Sequence, residues 1–247
     1  MGTGGDTMKQ LLTLPMFRVR YSLLLKSKNQ GFSLVEAIVG MLIALLFVTT
    51  SLQLMVYALV LASQGRGSST AKNWIQEDLE QVKSLAAAYK STILSSATTV
   101  GATTLTVGWT TGFATGDIVR VGSDPNNYTV SGVSGTTLTL SSGMTTVQSA
   151  NANVTAVNMC NASTAASGFA FALRSNLPSV ATTTKTIGGK NYTLSRGSAG
   201  GGTTPAISST PPFNVLQISY KVVPAGETNP IATLDTEVIP DAAIKCP

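Results

Sequence analysis

The chain contains no histidine and only two cysteines among 247 residues, and Asp, Glu, Lys and Arg together make up only 11% of it. Without histidine there is no imidazole to act as general base, so Ser-His-Asp and Cys-His arrangements are excluded together with histidine-ligated metal centres. Two distant cysteines, Cys160 and Cys246, do not make a zinc site. The acids after residue 100, Asp117, Asp124, Glu227, Asp235, Glu237 and Asp241, show no paired spacing, and Asp124-Pro125-Asn126-Asn127 reads as a turn rather than a calcium loop. Gly200-Gly201-Gly202 lacks the following lysine and helix of a phosphate loop. The sequence thus points to a non-enzymatic protein, with no metal and no cofactor expected. Aromatics are also scarce, at 6%. Trp109, Tyr128 and Tyr192 are candidates for a sugar-stacking platform, with packing in a core or turn as the competing role.

What the chain does have is unevenly placed. Its formal charge is +5, and residues 1–31 carry Lys9, Arg18, Arg20, Lys26 and Lys28 against Asp6, so +4 of that charge lies in the first 31 residues. The rest is close to neutral, which removes the argument for a nucleic-acid-binding body. Immediately after the basic stretch comes an apolar run from Phe32 to Ala62, interrupted by Thr49, Thr50 and Ser51. As a helix, 31 residues extend about 46 Å against roughly 30 Å of hydrocarbon. Positive charge before such a run holds that flank in the cytoplasm and predicts that the residues beyond the run are translocated. A cleaved signal peptide has a shorter apolar core with its cleavage site behind it. An ordinary signal-anchor explains the charge and the length but not Glu36, which at a bilayer centre costs up to about 3 kcal/mol and by default marks a function.

The segment Lys28-Asn29-Gln30-Gly31-Phe32-Ser33-Leu34-Val35-Glu36 resembles the prepilin cleavage and methylation motif of type IV pilin-like proteins: a basic leader ending in Gly, then Phe, then Glu at the fifth mature position of a long apolar helix. The likeness covers about residues 26 to 62. It implies that a prepilin peptidase cuts between Gly31 and Phe32, that Phe32 is N-methylated, and that Glu36 pairs with the N-terminal ammonium of a neighbouring subunit. The implied partners are the peptidase, other pilin subunits through the N-terminal helix, and inner-membrane lipid before assembly; a surface or carbohydrate ligand is not identified. The implied location is the inner membrane with an exported head, then a pilus at the cell surface or a periplasmic filament. A leader of 31 residues is long for the family, and Met8 and Met16 are alternative starts.

The resemblance implies an α+β fold, a long N-terminal helix followed by a β-rich head. Gly65-Arg66-Gly67-Ser68-Ser69 predicts an interruption, with Ser68 or Ser69 capping an amphipathic helix over about 69–96 whose stripe is Ile75, Leu79, Val82, Ala86, Tyr89 and Ile93. In the head, residues 97–247, strands are predicted at 103–107, 117–121, 128–130, 136–140 and 153–157. Thr103–Val107 is echoed by Thr136–Leu140. We read 101–157 as a small β insert, in the manner of a barrel. After an apolar stretch at 169–173 come a hairpin around Gly188-Gly189, a loop over 197–212, and strands at 215–223 and 234–239. Cys160 and Cys246 fall in the exported part, where a disulfide persists. Bridged, they would contribute about 4 to 5 kcal/mol by loop-closure entropy; two unrelated buried thiols are the alternative.

Overall fold

The computed structural model describes residues 33–247, and this part divides after Met55 into the start of the helix and a compact unit, Val56–Pro247. Helix α1 runs Leu34–Ala88 without a break, so the interruption expected at 65–69 does not occur. Gly65 and Gly67 each cost about 1 kcal/mol relative to alanine in a helix interior, and just beyond Gly65 the helix is met by residues from far along the chain. Ser68 Oγ donates to the Ile231 carbonyl at 3.3 Å, and Thr70 Oγ1 turns back to the Arg66 carbonyl at 2.9 Å instead of capping a new helix. Ile187 lies over Gly67, its Cγ2 only 3.9 Å from where a Cβ would stand.

The amphipathic stripe buries Ala71, Trp74, Ile75, Leu79, Val82 and Ala86. It ends earlier than its periodicity suggests. Tyr89 and Lys90 form a turn in which Lys90 takes a φ of 54°, and Ile93 lies on a strand. The unusual backbone of Lys90 is held from both ends of the residue. Its N–H donates to the Thr111 carbonyl at 2.8 Å, and its ammonium reaches Asp117 Oδ1 at 2.6 Å, with both side chains buried.

Six antiparallel strands come next: β1 (Ser91–Ile93), β2 (Thr104–Thr106), β3 (Ile118–Val121), β4 (Asn127–Ser134), β5 (Thr137–Leu140) and β6 (Asn153–Ala156), in the order β1-β6-β3-β4-β5-β2. A bridge between Leu94 and Val107 joins the two ends of that order and closes the sheet into a barrel. The echoed Thr-rich segments are paired with each other: Leu105 stands opposite Leu138, both fully buried, between Thr104–Thr139 and Thr106–Thr137 pairs. Leucines point in and threonines out, as period-2 alternation requires. The barrel has its own apolar core, including Val119, Val121, Val130, Leu140 and Val154. Asp124 closes a turn by accepting from the Asn126 N–H at 2.9 Å. Burial pushes the Asp124 carboxyl up, but hydrogen bonds from the Asn126 backbone and from the Thr146, Tyr128 and Thr145 hydroxyls outweigh it and hold the group well below the usual carboxylate range.

Beyond the barrel lie α2 (Phe169–Ser175), β7 (Thr184–Ile187), β8 (Lys190–Gly197), β9 (Ala206–Ile207), β10 (Leu216–Pro224), β11 (Ala232–Val238) and α3 (Asp241–Ile244). The stretch at 169–173 is thus helical, and the expected loop at 197–212 contains β9. Strands run β11-β10-β8-β7, all antiparallel, with β9 on β10. The β7–β8 hairpin turns through Gly188 and Gly189 at φ of 57° and 82°, the two positive values that a two-residue turn of this hand needs. Leu216, Ile218, Tyr220 and Val222 of β10 pack on the buried stripe of α1. Cys160 and Cys246 are bonded, with Cα atoms 5.5 Å apart, beside Phe169, Ala242 and Ala243.

One polar cluster sits inside this core. Asp78 on α1 receives Arg196 Nη1 at 3.0 Å and the Tyr220 hydroxyl at 2.8 Å, and Arg196 also donates to the Pro178 carbonyl. Burial first, and then the hydrogen bond to Asp78, push the Tyr220 phenol above its ordinary range. Removing Asp78 leaves the buried Arg196 guanidinium without a countercharge and the Tyr220 hydroxyl without its acceptor, so Asp78→Ala is expected to cost about 3–5 kcal/mol. Thermal unfolding followed by circular dichroism should show the midpoint lowered by roughly 10 °C. A shift under a degree or two would mean that the cluster contributes nothing.

Candidate assembly and processing site

Gly31 and Phe32, the residues expected to flank the cut, lie outside the described residues, as does the basic leader. Glu36 is described: it sits in the first turn of α1, its N–H donating to the Ser33 carbonyl at 2.9 Å, and it is exposed. An acid there interacts favourably with the helix dipole, but a dipole does not account for the surface around it. Every large apolar side chain from Leu34 to Leu61 is exposed, from 48% at Val60 to 76% at Leu34. This helix is long and apolar enough to cross a membrane. A contiguous apolar surface of that extent calls for cover by lipid or by other protein.

The aromatic platform envisaged from the sequence does not form. Tyr128 is buried in the barrel with its hydroxyl on Asp124 at 2.8 Å, and Tyr192 lies on β8 against the other core. Trp109 is 39% exposed, but its indole N–H is already given to the Ser91 carbonyl at 2.6 Å. The period-2 position of Tyr128, two residues from Val130, carried the signal for burial.

Polar partnerships that spacing along the chain did not reveal join the barrel to its surroundings. Asp117 meets Lys90, and Asn158 Nδ2 reaches the same carboxylate at 3.4 Å. Asp241 of α3 accepts from Ser91 Oγ at 2.8 Å and pairs with Lys245 at 2.7 Å, while Lys245 also reaches Asn153 Oδ1 at 3.2 Å. The i,i+4 spacing of Asp241 and Lys245 is the signal that could have found that pair, whereas the others join residues far apart in sequence. Tyr89, next to Asp117, has its phenol pushed up by burial and by that carboxylate.

Comparison with curated proteins and with solved structures returned no match. Residues 26–52 match the family described as Prokaryotic N-terminal methylation motif, spanning Gly31, Phe32 and Glu36. With the long apolar helix, that motif supports a type IV pilin-like precursor anchored in a membrane.

Proposed function

We propose that the chain is a non-enzymatic minor pilin or pseudopilin, a membrane-held precursor cut between Gly31 and Phe32 and assembled into a type IV pilus or the related filament of type II secretion. The observation that carries this reading is the register of Gly31, Phe32 and Glu36 against the start of an apolar helix. In it Phe32 is the methylated N-terminus, Glu36 meets the N-terminal ammonium of a neighbouring subunit, the basic leader stays cytoplasmic, and the Val56–Pro247 unit is exported. A minor position suits the barrel, since an added module on the head crowds a fibre made of many identical copies. The barrel, about 101–157 by sequence and extended by β1 to Ser91, is a separable module on the pilin framework.

Mass spectrometry of the protein from its native host tests the processing. The expected mature chain begins at methylated Phe32 and contains one disulfide. Gly31→Leu, which puts a branched side chain at the scissile bond, should accumulate as uncut precursor in the membrane. Filament-borne chains that retain residues 1–31 would refute the reading.

A further inference from the structure

We propose that Lys90 and Asp117 become joined by an amide bond, a covalent modification that the folded chain makes by itself and that links the end of α1 to the entry of β3. The two side chains are only 5% and 7% exposed. Lys90 Nζ stands 2.6 Å from Asp117 Oδ1 and 2.5 Å from Oδ2, closer to both oxygens than the roughly 2.7–2.9 Å of an ordinary charge-assisted hydrogen bond. An atom that near both oxygens lies about 3 Å from the carbon between them, the separation of a near-attack pair. Both backbones are pinned. The Lys90 N–H donates to the Thr111 carbonyl at 2.8 Å and its carbonyl accepts from the Ala156 N–H at 3.0 Å, while the Asp117 N–H donates to the Ala114 carbonyl at 3.1 Å and its carbonyl accepts from the Val130 N–H at 2.8 Å. The φ of 54° at Lys90, unfavourable for a residue with a side chain, is thus held in place with the amine against the carboxyl group.

The carboxyl group is held for this exchange. The Ala114 N–H donates to Oδ2 at 2.8 Å, and Asn158 Nδ2 reaches Oδ1 at 3.4 Å. One ammonium proton passes to Oδ1, which leaves a neutral amine as the nucleophile. Nζ attacks Cγ, and the charge that develops on Oδ2 is met by the Ala114 N–H. The Cγ–Oδ1 bond then breaks, and Oδ1 departs as water with that proton and a second one from Nζ, on the side of the exposed Asn158. An ammonium and a carboxylate have become one amide and one water, with no oxidant, cofactor or further reactant.

The alternative is an ion pair that stays an ion pair. That form keeps two charges out of water at a desolvation cost. The amide is neutral, and the burial that disfavours the charges also keeps out the water that hydrolysis needs. The Lys83–Glu80 and Lys190–Glu227 pairs, at 3.8 Å and with every side chain at least half exposed, have neither the approach nor the burial. Lys245 and Asp241 approach to 2.7 Å but are each about one-third exposed. The bond closes a loop that holds β1 and β2, so a pull along α1 reaches the barrel through a covalent link as well as through the three residues of β1.

The test is tryptic peptide mass spectrometry of the full chain, purified in detergent, then denatured and reduced. Trypsin does not cut after an acylated lysine, so Lys90 and Asp117 should appear together in the peptide Ser84–Arg120, lighter by one water than its sequence. Fragmentation of that peptide should give backbone ions only from outside the closed loop between the two residues. A chain without the bond gives Ser84–Lys90 and Ser91–Arg120 instead. Lys90→Arg keeps a cation opposite Asp117 but removes the amine nucleophile, so it should give the two separate peptides at full mass and still show the Cys160–Cys246 bond on a non-reducing gel. Complete cleavage after Lys90 in the unsubstituted chain, or Ser84–Arg120 at its full mass, would overturn the proposal and leave a plain ion pair. A linked peptide that contains Asn158 and is lighter by one ammonia would overturn it too, by naming a different acyl partner.

Discussion

Glu36→Leu is expected to leave the chain cut, inserted and folded, and to reduce its recovery in filaments by at least tenfold. A leucine at this position makes the helix greasier, so a carboxylate that served only the anchor would be dispensable, and membrane insertion should improve slightly. In the assembly proposed here the carboxylate has a different task. A free N-terminal ammonium at Phe32 and a carboxylate four residues later are each costly inside a bundle of apolar helices, and each is relieved only by the other's presence on a neighbour at one axial offset. Such a pair selects register more than it adds stability. Glu36→Gln isolates the charge, because it keeps the size and a hydrogen-bonding group while losing the countercharge, and it should resemble the leucine variant. The measurement is quantitative blotting of sheared filaments against whole membranes, with N-terminal sequencing to confirm the cut. Undiminished recovery of both variants would remove Glu36 from assembly.

The parts of this fold that sequence made legible are those set by a short period or a local turn. Val215–Val223 alternates, and β10 buries Leu216, Ile218, Tyr220 and Val222 on one face. Gly188-Gly189 between two β-prone arms specified its hairpin. The stem was legible because apolar length and an out-of-place acid are both local properties. What sequence did not carry was decided by distant partners. At Gly67 and Ser68 the helix is met by Ile187 and Ile231, far along the chain. It stops at Ala88, against a periodicity that continues to Ile93, because Ser91–Ile93 finds β6 and Lys90 finds Asp117. The aromatic platform failed for the same reason: three residues were grouped by type, and the topology put two of them in separate cores. The Gly31–Phe32 signal lies outside the described residues, so structure adds nothing to what its sequence register already says.

Excision of the barrel is expected to succeed at one pair of boundaries and fail at another. The sequence places the insert at 101–157, but removing that span leaves Ser91–Ile93 without β6 and strands Lys90 without Asp117. A buried ammonium deprived of its partner costs about 3–5 kcal/mol, and an unpaired strand adds an edge open to aggregation. Replacing 90–156 by a short Gly-Ser linker removes Lys90 and Asp117 together. The junction is narrow, since the Ala156 N–H donates to the Lys90 carbonyl at 3.0 Å and Ser91 pairs with Thr155, so loop closure adds little. Some contacts are still forfeited. Tyr89 loses its neighbour Gly112, and Asp241 and Lys245 lose Ser91 and Asn153 while keeping each other. The α1 stripe, the β7–β11 sheet and the Cys160–Cys246 bond with its Phe169 cluster contain no barrel residue. The 90–156 deletion should therefore form its disulfide, resist limited proteolysis and melt only a few degrees below the full chain, whereas the 101–157 deletion should be recovered reduced, protease-sensitive or aggregated. Equal failure of both would make the barrel part of the framework's own folding unit, and equal success would show that the Lys90–Asp117 pair and β1 do not set the boundary.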